Sequence, residues 1–139
     1  MFKACVTTSI ALMLLLSSSL WAGVVGGPQQ TGGIVSANRY QEFTYQFEHF
    51  QDATIKVTFD ISGKTSAACD KLKVKLLVDG EWFMTGAGRF DSAGVNGSED
   101  CVFEGGYGRA HKYAKDRRQV TVQVINESTE NTIFTLKTN

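Results

Sequence analysis

The histidines His49 and His111 are the ordinary general bases that this sequence offers. Neither stands beside a nucleophile motif. No G-x-S-x-G, H-E-x-x-H, phosphate loop or dinucleotide fingerprint occurs. By alternation His49 continues the face of Phe43, Tyr45 and Phe47, which makes it a packed or strand-end residue. His111 sits among Arg109, Lys112, Lys115, Arg117 and Arg118. The carboxylates fall mostly on outward strand positions or in turns, where solvation is their ordinary role. The expectation is a protein without catalysis and without a cofactor.

Three segments have the chemistry of binding. The first surrounds Asp79–Gly80, a strong short hairpin signal. A two-residue turn pairs Val78 with Glu81, Leu77 with Trp82, Leu76 with Phe83 and Lys75 with Met84. Phe83 then joins the core. Trp82, Met84, Leu77, Lys73 and Lys75 share the other face. A Trp flanked by cations suits sugar stacking or a protein hot spot. A three-residue turn buries Trp82 instead, and so does a cover over this face. Burial is the favoured outcome, because a one-residue slip reverses every side chain.

The second segment is Gly105–Arg118, GGYGRAHKYAKDRR. It carries Arg109, Lys112, Lys115, Arg117 and Arg118 against one acid, Asp116, with Tyr107, His111 and Tyr113 interleaved. Such a loop is a local positive site for anionic glycan, lipid headgroups or an acidic partner. A solvated loop whose cations pair with acids elsewhere is the equal alternative. The third segment, DSAGVNGSED, holds Asp91, Asn96, Glu99 and Asp100. These are hard oxygen donors of the kind calcium takes, but their spacing is not that of an EF-hand, and a plain polar loop is the favoured reading. Asn96–Gly97–Ser98 and Asn126–Glu127–Ser128 are sequons in a eukaryotic host only.

Cys69 and Cys101 are read as one disulfide, because the segment before them reads as an export signal. They close a loop of about 32 residues, which stabilises a fold by about 3–4 kcal/mol in the chain-entropy treatment. Met1–Phe2–Lys3 is a short cationic start, Ser9 to Leu20 an apolar run, and Trp21–Ala22–Gly23 offers small residues for cleavage. Residues 1–22 are therefore assigned as a signal peptide. The serine cluster makes this run a poor membrane anchor. Cys5 precedes the apolar run, so no lipoprotein box is present. The mature chain is expected to be secreted or periplasmic, with no transmembrane span.

The elements that must position these segments are strands. Residues 23–38 are glycine-rich, contain the one proline, Pro28, and read as a flexible leader. From residue 39 the period is two. Phe43, Tyr45 and Phe47 form one apolar face, and Ile55, Val57, Phe59 and Ile61 another. Leu72, Val74, Leu76 and Val78 follow, then Val120, Val122 and Val124, then Phe134 and Leu136. Shorter strands are expected at Glu81–Thr85 and Asp100–Glu104. About seven strands with almost no helix predict a single antiparallel β-sandwich or jelly roll over residues 39–139. A short helix is allowed within Arg109–Arg117.

The chain has 14 Lys plus Arg and 14 Asp plus Glu, with 42% hydrophobic residues. Neutral charge excludes a generic nucleic-acid binder, and the apolar content excludes a disordered chain.

Phe43–Thr44–Tyr45–Gln46–Phe47, then Ala53–Thr54–Ile55–Lys56–Val57–Thr58–Phe59, then a strand ending at Asp79–Gly80, resemble the opening of bacterial pre-peptidase C-terminal domains. The ending, Val120–Thr121–Val122–Gln123–Val124–Ile125–Asn126 and Thr132–Ile133–Phe134–Thr135–Leu136, is similar too. The family's Gly-Asp-x-Asp-Leu stretch is replaced by Ala68–Cys69–Asp70–Lys71–Leu72. The resemblance implies a non-catalytic secreted jelly-roll module. The function expected is a binding module for a glycan or for an envelope or extracellular protein. An envelope structural protein or an inhibitor of a hydrolase is the alternative.

Overall fold

A computed structural model describes residues 24–91 and 99–139, with Asp91 described in its backbone only. The assigned signal peptide lies outside the described residues. Nine strands form among those described: β1 Gln30–Val35, β2 Arg39–Phe47, β3 Ala53–Asp60, β4 Leu72–Val78, β5 Glu81–Ala87, β6 Arg89–Asp91, β7 Asp100–Tyr107, β8 Arg118–Asn126 and β9 Thr132–Thr138. They make two antiparallel sheets, in the orders β1-β9-β3-β7-β6 and β2-β8-β4-β5. This is the strand order of a jelly roll with β6 added at one edge. No described helix is long and apolar enough to cross a membrane.

Alternation explains the layering. Ile55, Val57 and Phe59 of β3 are buried while Thr54, Lys56 and Asp60 are exposed. In the other sheet, Leu76 of β4 and Val122 of β8 are register partners on adjacent strands, and both are fully buried. Each such Val, Leu or Phe contributes about 1.5–3 kcal/mol of burial. The disulfide joins Cys69, in the 3₁₀ turn Ser66–Lys71, to Cys101 on β7, with Cα atoms 5.5 Å apart. It ties the crossover between the sheets to the sheet that contains β7.

All seven expected strands form. The leader assignment is corrected, because part of residues 23–38 is fold. Residues 30–35 are β1, the edge partner of β9, and Val24 and Val35 are buried in the core. The strand was hidden because Gly32–Gly33 dilute its β-propensity. The short helix is the 3₁₀ turn Lys112–Lys115, and β6 is an addition of three residues.

Asn126, the acceptor position of one of the two sequons, ends β8 and is buried. Its Nδ2 donates to the carbonyls of Val35 at 3.0 Å and Glu130 at 2.7 Å. That amide is spent inside the fold, so its sequon is no glycan acceptor. Asn96 lies outside the described residues.

Candidate functional site

The Asp79–Gly80 turn is two residues long, with φ of 52° and 82°. Positive φ at both central positions is the primed turn that hairpin twist requires, and Gly80 supplies one of them without strain. Val78 pairs with Glu81 and Leu77 with Trp82, as expected. A bulge then inserts Phe83, so Leu76 pairs with Met84. The favoured burial of Trp82 is therefore overturned. Trp82 is 64% exposed on the outer face beside Leu77, and its Nε1 donates to Thr85 Oγ1 at 2.9 Å. Met84 is corrected in the other direction: past the bulge it packs against the core. Lys75 remains on the outer face, opposite Thr85.

The structure brings the hairpin and the basic loop together at one end of the sandwich. Asp79 is the link. Its Oδ2 accepts from Arg118 Nη1 at 2.8 Å and its Oδ1 from the Gln119 amide at 3.1 Å, while its own amide donates to the Gln119 carbonyl at 2.8 Å. These bonds, that to Arg118 first, hold the Asp79 carboxyl below the usual carboxylate range. Arg118 also reaches Asp116 at 3.2 Å, and its guanidinium lies over the Tyr113 ring.

Beneath these polar links is an aromatic cluster. Phe83 meets Tyr107, His111 and Tyr113 at ring separations of 6.2, 5.7 and 5.5 Å. Tyr107 also meets Phe47, which ties the two sheets together here. Tyr107 is 5% exposed, so it supports this surface from inside and is not a contact residue on it. Burial raises the pKa of its phenol and keeps it neutral. His111 Nδ1 accepts from the Tyr113 amide at 3.2 Å and so caps the turn Lys112–Lys115.

The β2–β3 loop completes this end. Arg117 makes a two-bond contact with Glu48, the shorter being 2.6 Å. The Phe50 amide donates to the Ala114 carbonyl. Phe50 has φ 59°, yet its side chain is 62% exposed. A bulky residue in the left-handed region is a strained arrangement that the surroundings must hold in place.

Arg117 and Arg118 are thus paired with acids, as the solvated-loop alternative anticipated. Arg109, Lys112 and Lys115 are exposed, without an acid partner among the described residues. His49 is exposed in the β2–β3 turn beside Phe50. Phe50 and the Asp79 clasp were missed. The first looks like any loop residue in sequence, and the second joins positions about 40 apart.

Of the calcium candidates, Asn96 and the Asp91 side chain lie outside the described residues. Glu99 and Asp100 are half-buried, and no group of three metal-ligating side chains occurs among the described residues. A groove of about 540 Å³ lies at the other end, between Lys64–Leu72 and Glu127–Thr132.

No family model matches this sequence, and no curated protein matches it. Among solved structures, the chain is similar to Aeromonas hydrophila PliG, a periplasmic lysozyme inhibitor of g-type lysozyme. Identity is 13% over 81% of this chain and 84% of that one, with a TM-score of 0.46. It is also similar to part of BtGH115A, a 4-O-methyl-α-glucuronidase, at 11% identity over 78% of this chain and 14% of that one, with a TM-score of 0.44. BuGH86E322Q in complex with neoagarooctaose gives 12% identity over 81% of this chain and 19% of that one, with a TM-score of 0.36. The class defined by the strand order is the two-sheet antiparallel β-sandwich.

Proposed function

We propose that this is an exported, non-catalytic β-sandwich that binds a protein partner through the end bearing Trp82, Phe50 and the basic loop. An inhibitor of a hydrolase is the form of that reading we favour. One observation carries it: two large rings, Trp82 at 64% and Phe50 at 62% exposure, stand out from loops that are locked to one another. Exposed aromatics on a rigid support are what a hot spot needs, because little freedom remains to be lost on binding. The disulfide belongs to oxidising compartments and supports export. The resemblance to pre-peptidase C-terminal domains points toward a secreted module without catalysis as well.

Protein is favoured over glycan because exposed rings beside cations without an acid partner among the described residues are the residue types of a protein hot spot.

The test is photo-crosslinking in the native envelope, with the reactive residue at Glu81 beside Trp82 and, as control, at Ile133 on the opposite sheet. One saturable protein adduct is expected at Glu81 and none at Ile133, and Trp82→Ala should abolish it. Equal labelling at both positions, or an adduct indifferent to Trp82→Ala, overturns the reading.

A further inference from the structure

Among the described strands, β1 and β6 bound one sheet and β2 and β5 the other. An edge strand presents unpaired N–H and C=O groups, and proteins blunt such edges with charge, bulges, shortness or cover. Three of these four are blunted. β6 is three residues long and carries Arg89 and Asp91. β5 begins with Glu81 and has the bulge. β2 carries Arg39 and Glu42, and the Val25 amide donates to its Gln46 carbonyl at 2.7 Å. β1, Gln30–Val35, has no charge and no proline, and its register with β9 runs without a shift.

The phase of the ladder fixes which groups of β1 stay open. The Thr138 amide donates to the Gln29 carbonyl at 2.9 Å, while the Asn139 amide donates the other way, to the Thr54 carbonyl of β3 at 3.2 Å. Hydrogen-bonded pairs alternate along an antiparallel ladder. Thr31, Gly33 and Val35 therefore bond to Leu136, Phe134 and Thr132 of β9, and the N–H and C=O groups of Gln30, Gly32 and Ile34 point out of the edge. Gln41 Nε2 donates to the Ile34 carbonyl at 2.5 Å, which leaves that oxygen one lone pair. Gln30, Gly32, Gly33 and Ile34 are all exposed, so the described chain leaves this edge uncovered.

We infer that the β1 edge pairs with the β1 edge of a second copy, antiparallel about Gly32, and joins the two five-stranded sheets into one. The edge is self-complementary about that residue. Gly32 lies opposite Gly32 of the second copy and Gln30 opposite its Ile34, so every outward residue finds a partner, through about six main-chain hydrogen bonds. Pro28 has no N–H and stops the open run on one side, and the turn between β1 and β2 stops it on the other. On the inner face, Thr31 of the second copy falls opposite Gly33. There the Phe134 ring lies 3.7 Å from where a Gly33 Cβ would stand, and Gly33 itself puts no side chain over it. A foreign strand draws its specificity from pockets for alternate side chains, and an edge with two glycines at its centre offers none. The two-fold axis lies across the strands, so the two ends that bear Trp82 face opposite ways and both stay open. Ile133 is one strand in from the edge and stays outside the contact.

The test is sedimentation equilibrium of the mature chain with its disulfide intact. A dimer is expected, with a dissociation constant on the order of micromolar. Gln30→Lys/Ile34→Lys sets like charges directly opposite one another twice, and should raise that constant about tenfold or more. Gln30→Lys/Ile34→Glu changes the same residues but opposes unlike charges, and should bring it back to within about threefold of the native value. Both positions are exposed, so an unchanged circular-dichroism spectrum verifies the fold of each variant. Trp82→Ala should leave the dimer as it is. As concentration rises, the Gly32 amide should gain protection from hydrogen exchange, while the Gly33 amide, already bonded to β9, should not. A chain that stays monomeric up to about 1 mM overturns the inference. So does a dimer indifferent to the two lysines, or one lost in both charge variants. Protection of Gly32 that a monomer gains only in periplasmic extract replaces the second copy with a foreign strand.

Discussion

The two ends of this sandwich are built by opposite means. One end is fastened covalently, by Cys69–Cys101 between a 3₁₀ turn and β7. The other is fastened by many weak links among three loops: Asp79 to Arg118, Glu48 to Arg117, Phe50 to Ala114, and a cluster of rings. The disulfide end is mixed in charge, with Lys64 close to Glu130 and Lys73 to Glu127. The loop end leaves cations and rings facing water. A covalent clamp secures the fold without constraining the surface elsewhere. A mesh of hydrogen bonds and stacked rings holds exposed side chains in fixed positions.

The largest test of this contrast is Gly106→Ala at the loop end. A Cβ there lies 1.8 Å from the Ala53 carbonyl oxygen, at φ 134°. Loss of more than about 3 kcal/mol is expected, read by chemical denaturation. A loss below 1 kcal/mol means that β3 and β7 part easily, and the rigid support fails as an idea.

Reduction of the disulfide, or Cys69→Ser/Cys101→Ser, should cost about 3–4 kcal/mol. Binding at the loop end should survive wherever the fold does. Partner affinity that falls in step with reduction would show that the two ends are coupled.

Acid separates the ends as well. The Asp79 carboxyl has a lowered folded-state pKa, so its contribution is present above the unfolded value of about 3.9 and is lost as pH falls through the folded one. The protection factor of the Gln119 amide, its exchange rate corrected for the intrinsic rate at each pH, should hold at pH 5 and fall as pH drops below the ordinary carboxylate range. Asp79→Asn should lower that protection factor already at pH 5. A protection factor that does not fall on acidification removes the clasp from the account.

The smallest effects concern the exposed rings. Trp82→Ala should change stability by less than about 0.5 kcal/mol. Trp82 is the one Trp after residue 22, so its fluorescence reports this surface alone. Ready quenching by acrylamide is expected, and a shielded indole contradicts its exposure. Phe50→Gly should leave stability unchanged or raise it by up to about 1 kcal/mol, because glycine accepts φ 59° freely. A clear loss would make Phe50 a structural residue and leave Trp82 as the lone anchor.

Much of this was legible in the sequence. Strict alternation in β3 and β4 fixed which side chains point inward, and Asp79–Gly80 fixed the first pairs of the hairpin. The bulge at Phe83 was not legible, since Trp82–Phe83–Met84 carries no signal for an extra residue. It settled the fates of Phe83 and Met84. β1 was hidden by its glycines, which survive in a strand because β9 supplies the pairing and Phe134 fills the space over Gly33. The basic loop was visible as charge. That two of its arginines are spent on Glu48 and Asp79 depends on contacts between distant segments, which local pattern cannot disclose.

The order of the strands has a consequence for the making of the protein. β1 pairs with β9 and β2 with β8, so the first strands to emerge have their partners at the opposite end of the chain. Folding must therefore wait for nearly complete synthesis, and closing such distant pairs is slow. Until then β1 and β2 present open strand edges, the kind that aggregate. Of the two, the uncharged Gln30–Val35 edge has the least charge to keep another strand from pairing with it.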